Sequence, residues 1–215
     1  MVHPEPTRIL AIRHGETSWN VPSRVQGQLD IELNDTGRWQ ADRLAAALAD
    51  EPLAAIYASD LQRALATARA LATRRGLPLQ AERGLRERGF GEFEGLTFRD
   101  IEIRWPEQAG RWRQRDPEFG PQGGETLADF YARCIDTVTR LAAVHPGQLI
   151  ALVAHGGVLD CMYRAAARVE LRAPRTWQLG NASINRLLFT GEGFTLVGWS
   201  DTSHLDVPTL DDEPL

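Results

Sequence analysis

Apolar positions along the chain recur with two spacings, about 2 and about 3.6 residues, and the switching between them lays out the elements. "RILAIRH" is a short continuous apolar run suited to a strand covered on both faces, and it gives way to the polar loop "GETSWNVPSRVQGQLD". "TGRWQADRLAAALAD" then reads as a helix capped by Asp35 or Thr36, with Trp39, Leu44, Ala47 and Leu48 on one stripe. "AAIYAS" is a second strand. Ser59 or Asp60 caps the helix "LQRALATARALATRR", which stops at Gly76, and "LPLQAE" is a third strand.

The stretch "RGLRERGFGEFEGLTF" is too punctuated by glycine for regular structure. "FRDIEIRW" and "EQAGRWRQR" predict short helices separated by Pro106 and closed by the loop "DPEFGPQGG". "ETLADFYARCIDTVTRLAAV" is a long amphipathic helix, "QLIALVAH" an almost wholly apolar fourth strand, and "GGVLDCMYRAAARV" a further helix. "NASINRLLFTGEGFTLVGWS" predicts a hairpin around Gly191 and Gly193. Strands alternating with helices imply a three-layer α/β sandwich with a mostly parallel sheet. No repeat, low-complexity tract or linker divides the chain, so one domain is expected over 1–215. Phe90 to Gly124 stands out as an insertion over the sheet edge, and the acidic tail from Asp206 is expected to be loosely ordered.

Composition narrows the function classes. The chain has 215 residues, 43% hydrophobic and 25% charged, enough for a sizeable core. No apolar run approaches the roughly 18 residues of a membrane span, and "MVHPEPTR" lacks the pattern of a signal peptide, so a cytoplasmic location is expected. Cys134 and Cys161, without a C-x-x-C spacing, read as small apolar fillers rather than a disulfide or zinc framework. A net charge of −5 gives no basic face for nucleic acid. All 24 basic residues are arginine; biased codon usage accounts for that better than function does, since arginine's bidentate fit to phosphate matters at few sites.

In open α/β sheets ligands bind just beyond the carboxyl ends of the strands. His14 ends the first predicted strand and His155 the fourth, each followed by a glycine, Gly15 and Gly156, that allows close backbone approach. One histidine so placed reads as structural; two matched placements point to a site. Arg13 precedes His14, and Arg63 lies in the first turns of the helix after the second strand. Guanidinium groups and a helix N-terminus together suit a phosphoryl group.

The motifs "RHGETSWN", "QGQLDIELNDTGRWQA", "SDLQRALATA", "LRERGFGEFEG", "GGETLADFYAR" and "VAHGG", in that order, resemble the series of the histidine phosphatase superfamily in its phosphoglycerate-mutase-like branch. The final "NASINRLLF" and "DTSHLD" resemble the small bacterial phosphatase members. The resemblance implies that His14 is a nucleophile forming a phosphohistidine, with Arg13, Arg63 and His155 around the phosphoryl oxygens, His155 protonated or donating a hydrogen bond. It assigns Glu87 of "LRER" as the acid for the leaving alcohol and base for water. Glu92, Glu94 and Glu125 are rivals on composition alone. Asn20, Gln26, Gly27 and Gly156 would line the phosphate and substrate mouth. No metal or cofactor is implied, the partner is a small phosphorylated substrate, and a homodimer is the default assembly.

A bisphosphoglycerate-dependent mutase passes through the same phosphohistidine, with 2,3-bisphosphoglycerate as cofactor. Family mutases carry a longer segment after the acid loop, with substrate-binding basic residues that include lysine. Here that segment is short and lysine-free, although Arg99, Arg104, Arg111, Arg113 and Arg115 offer a partial substitute. A phosphatase is therefore preferred, with a mutase and a non-catalytic phospholigand-binding regulator as alternatives. The segment from Phe90 to Gly124 is expected to form part of a lid, its Phe93, Phe98, Trp105, Trp112 and Phe119 either packing it onto the sheet or meeting the substrate.

Overall fold

A computed structural model describes residues 5–20 and 23–206, and the acidic tail 207–215 lies outside the described residues. The strands are β1 (Thr7–Arg13), β2 (Leu53–Ala58), β3 (Leu79–Ala81), β4 (Leu149–Ala154), β5 (Ile184–Thr190) and β6 (Gly193–Asp201). They form one six-stranded sheet in the order β3-β2-β4-β1-β5-β6. The first four run parallel, and the β5–β6 hairpin adds two antiparallel strands beside β1. Every residue of β4 is buried, as its unbroken apolar run demands of a strand covered on both faces.

Helices α1 (Asp35–Ala47) and α2 (Gln62–Arg75) cover one face, where Leu44, Ala45, Leu48, Ala64, Ala68 and Leu71 meet Leu10, Ile12, Ile56 and Val153. Helices α5 (Leu127–Ala143) and α6 (Gly156–Ala167) cover the other, with Phe130, Val138, Leu141, Val158 and Met162 against Ile9, Ala11, Ile150 and Leu152. The result is the three-layer sandwich predicted. Cys134 and Cys161 are free and buried in this second layer. No helix among the described residues is long and apolar enough to cross a membrane.

Several local expectations need correction. The cap of α1 is Asn34, whose side chain accepts from the Gly37 amide at 2.8 Å, rather than Asp35 or Thr36. Its buried stripe is Gly37, Gln40, Ala41, Leu44, Ala45 and Leu48, so the frame assumed from Trp39 and Ala47 is rotated; Trp39 is 41% exposed. Small residues face the core here because Gly37 packs backbone to backbone on the β1–α1 loop: a Cβ on it would stand 2.0 Å from the Glu16 carbonyl oxygen. Helix α2 has no side-chain cap, and Leu61 occupies that position. It ends at Gly76 in the left-handed conformation, φ 63°, as predicted.

Residues 90–124 contain the short helices α3 (Phe98–Arg104) and α4 (Pro106–Arg113). Their aromatics pack on one another rather than on the sheet. Phe93 and Phe119 are buried with Ile101 and Ala109, flanked by Phe90, Phe98, Trp105, Trp112 and Val25. Ring centroids of Phe93 lie 5.4 Å from Trp105 and 5.7 Å from Trp112. The segment thus carries its own small core and is tied by Val25 to the loop after β1.

Candidate active site

Strands β2, β4 and β1 lie side by side and parallel, so the residues that follow them meet at one rim. His14 follows β1 and its amide donates to the Ala154 carbonyl at 3.0 Å, which ties it to the end of β4, where His155 follows. The two imidazole centroids stand 5.2 Å apart. Ser59 and Arg63 arrive from the β2–α2 junction. Gly15 is required for this crowding: a Cβ there would stand 2.5 Å from the Gly37 carbonyl oxygen.

Hydrogen bonds fix both histidine tautomers. His14 is 4% exposed, and its Nδ1 lies 2.7 Å from the Gly15 carbonyl oxygen, an acceptor, so Nδ1 carries the proton and Nε2 keeps its lone pair. His155 is wholly buried. Its Nδ1 lies 3.2 Å from Arg63 Nε, which has a proton and no lone pair, so Nδ1 accepts and Nε2 donates to Ser59 Oγ at 2.8 Å. Ser59, which the sequence offered as a helix cap, is instead the group that orients His155.

Burial first, then the neighbouring Arg63 cation, hold both histidines well below the ordinary imidazole range. Each is neutral in the folded protein, whereas in the unfolded chain it takes up a proton below about pH 6.5. Because the folded value is depressed, stability is fully present above that pH and is lost as pH falls toward the folded values. Melting temperature should therefore be level above pH 6.5 and fall below it, two such groups costing about 2–3 kcal/mol by pH 5.5. The acid limb of activity should lie well below pH 6.5. A limb at the ordinary imidazole value would contradict the neutral buried pair.

Arg63 is 1% exposed and gives its guanidinium to the carbonyls of Gly27 and Leu29, each at 2.7 Å, besides His155. Burial lowers it to about 10, and it remains a cation at neutral pH. Those carbonyls make Gly27 a backbone partner of Arg63 in the β1–α1 loop, while Gln26 makes no hydrogen bond to it. Gly27 sits at φ 51°, and Gln26 Oε1 is buried without a partner. Asn20 Oδ1 accepts from the Thr17 amide and hydroxyl at 2.9 and 3.0 Å. Arg13 donates through Nη1 to the Leu179 carbonyl, while its Nε is buried with no partner.

A cleft of about 530 Å³ is lined on one side by Arg13, Glu87, Gly156 and Gly157 and on the other by Arg175, Trp177, Gln178, Leu179 and Gly180. Asn20, Gln26 and Gly27, expected at the mouth, do not line it, nor do the buried His14, Arg63 and His155, of which His14 adjoins the lining residue Arg13 in the chain. Of the four candidate acids Glu87 alone lines the cleft. Its oxygens accept from the amides of Arg88 at 2.9 Å and Gly157 at 3.0 Å, the latter at the N-terminus of α6. Glu94 is taken up by the amides of Gln28 and Phe90, and Glu125 by the Gly89 amide and Arg133. Two arginines fix the acid loop. Arg133 donates to the carbonyls of Gly84, Arg86 and Glu87, and Arg88, 4% exposed, donates to those of Phe119 and Glu125. Neither was singled out in the sequence, where arginines on loops and helices look alike. Thr67, Gly157 and Asn181 were also missed. Thr67 Oγ1 accepts from the Gly15 amide at 3.0 Å, and Asn181 Nδ2 donates to the His14 carbonyl at 3.0 Å.

Residues 9–202 match the family model of the histidine phosphatase superfamily (branch 1). The phosphoglycerate mutase-like protein 4 of Arabidopsis thaliana is 39% identical over 203 residues, 92% of this chain and 86% of that one. The metal-independent phosphoserine phosphatase of the same plant is 36% identical over 208 residues, 95% and 85% of the two chains. The solved structure of a mycobacterial glucosyl-3-phosphoglycerate phosphatase complexed with VO3 superposes with a TM-score of 0.81 at 36% identity, covering 91% of this chain and 99% of that one. With the motif series, the sheet order and these matches in agreement over most of its length, the chain belongs to the histidine phosphatase superfamily, branch 1.

Proposed function

We propose that this protein is a phosphomonoesterase that hydrolyses small phosphorylated metabolites through a phosphohistidine on His14. The observation that carries the reading is the buried neutral His14, whose Nδ1 proton is committed to the Gly15 carbonyl so that Nε2 is a free nucleophile. Nε2 attacks phosphorus, the ester P–O bond breaks, and Glu87 passes its proton to the departing oxygen. In the second step Glu87 takes a proton from water, the water oxygen bonds to phosphorus, the P–N bond breaks, and His14 returns neutral. Arg13 supplies its unpartnered Nε, and Arg63 its buried charge, to the oxygens on which charge spreads. His155, whose Nδ1 accepts from Arg63 and whose one N–H goes to Ser59, acts in this reading by holding Arg63 in place rather than by donating to the phosphoryl oxygens as expected.

The relatives named phosphoserine phosphatase and glucosyl-3-phosphoglycerate phosphatase support hydrolysis. So does the engagement of three of the five arginines that would serve a mutase. Arg111 is paired with Asp116, Arg113 with Glu102 and Arg115 with Asp160. Residues 90–124, joined to the acid loop through Arg88, act in this reading as a cover for the site within a single domain. Two free thiols suit a reducing cytoplasm, and a homodimer is the assembly we expect. The wild-type protein should release phosphate from p-nitrophenyl phosphate and from phosphorylated metabolites, undiminished by EDTA. Efficient conversion of 3-phosphoglycerate to 2-phosphoglycerate after priming with the bisphosphate, with little phosphate released, would overturn hydrolysis in favour of the mutase. Stoichiometric binding of such ligands without release from any ester would make it a binding protein.

A further inference from the structure

The cleft has one wall that none of the chemistry above uses, the stretch 175–180 between α6 and β5. It is firmly held. Arg13 Nη1 donates to the Leu179 carbonyl, and Trp199 Nε1 to the Gln178 carbonyl at 2.9 Å. The Trp177 ring stacks on Tyr163 with centroids 3.9 Å apart and lies under the Arg164 guanidinium at 4.7 Å. This wall holds Arg175, exposed and without an acidic partner among the described residues, at the edge of the cleft. Its charge is near enough to disfavour the Arg13 cation. Glu87, the one carboxylate among the described residues lining the cleft, is committed to two backbone amides on the opposite side.

Two guanidinium groups therefore face one space with no protein anion assigned to the outer one. The ester phosphate would occupy the inner group beside His14. The geometry points to Arg175 as the residue that recognises a carboxylate elsewhere on the substrate, so that the enzyme selects phosphorylated carboxylic acids over phosphorylated alcohols. The assignment rests on the phosphomonoesterase reading. A carboxylate matches the paired donors of one guanidinium, whereas a second phosphate dianion calls for more donors than this wall presents. The attraction also offsets the repulsion between Arg175 and Arg13 that exists in the free protein.

The test compares 3-phosphoglycerate with glycerol 3-phosphate, which differ in carrying a carboxylate or a hydroxymethyl group. Wild type should prefer the carboxylate by about tenfold in kcat/KM, mostly through KM. Arg175→Ala should bring the two substrates to within about twofold of each other, and Arg175→Lys should restore part of the preference. Calorimetric binding of the same two compounds to the His14→Ala protein reads the preference without turnover. Retention of the preference in Arg175→Ala, or its absence from both the wild-type kinetics and the binding to His14→Ala, would overturn the assignment. An Arg175-dependent binding preference with no phosphate released from either compound would uphold it and overturn the phosphatase reading instead.

Discussion

Replacing His14 by alanine should reduce phosphate release from p-nitrophenyl phosphate by on the order of 10⁴-fold or more, because the attacking atom is lost rather than a helper to it. His155 cannot take over. Its Nδ1 accepts from Arg63 and its Nε2 donates to Ser59, so neither nitrogen offers a lone pair to phosphorus, although the two rings are only 5.2 Å apart. The fold should survive the change. The His14 side chain bonds only to the carbonyl of its own neighbour, and the strand end is held by backbone bonds to Ala154 and from Ala182. A melting temperature within a few degrees of wild type, with activity gone, separates loss of chemistry from loss of structure. The same variant should fail to retain label after acid-free quenching of a reaction with a ³²P-labelled ester, while wild type holds an alkali-stable, acid-labile phosphoryl group. Full activity in His14→Ala would sink the covalent mechanism.

The parts of this arrangement that were legible in the sequence share a physical character. Strands β1 and β4 announce themselves because burial on both faces forces continuous apolar runs, and each ends where a histidine follows. Placing those histidines together needed only the rule that parallel strands end at one rim, and β1 and β4 are indeed neighbours. The frame of α1 was misread because its inward face is built from Gly37, Gln40 and Ala41, whose small or polar side chains leave no apolar signal, while Trp39 lies outside. Ser59 looked like a cap since serine before a helix usually is one. Its bond to His155 depends on a residue 96 positions away in the chain. The cleft wall at 175–180 gave no signal at all, since "PRTWQLG" has the composition of any polar loop. It reaches the site because β5 pairs with β1 and draws the preceding residues alongside Arg13. Long-range pairing decides such contacts, and local pattern does not record it.

Glu87→Gln should slow alkyl phosphate esters by about 10³-fold and p-nitrophenyl phosphate by about tenfold or less, because an alkoxide needs a proton to depart and p-nitrophenolate does not. A plot of log kcat against leaving-group pKa should accordingly be much steeper for the variant than for wild type. The carboxyl is positioned by two backbone amides, those of Arg88 and Gly157, and a glutamine turns an NH2 group toward one of them. Some of the loss could then come from displacement, so a second change is needed that moves the acid without removing it. Gly157→Ala provides it. A Cβ at that position would stand 2.2 Å from Glu87 Oε1, the end of a side chain that can swing away, and 3.1 Å from the buried Phe130 ring, which must give by a few tenths of an ångström, so the fold should tolerate the methyl at a modest cost in melting temperature while the acid leaves its place on α6. If Glu87 acts by proton transfer, Gly157→Ala should show the same dependence on leaving group at a smaller amplitude, about 10- to 100-fold for alkyl esters. A loss equal for all esters in both variants would instead make Glu87 a group that shapes the cleft floor between Arg88 and α6, and the proton would have to come from elsewhere.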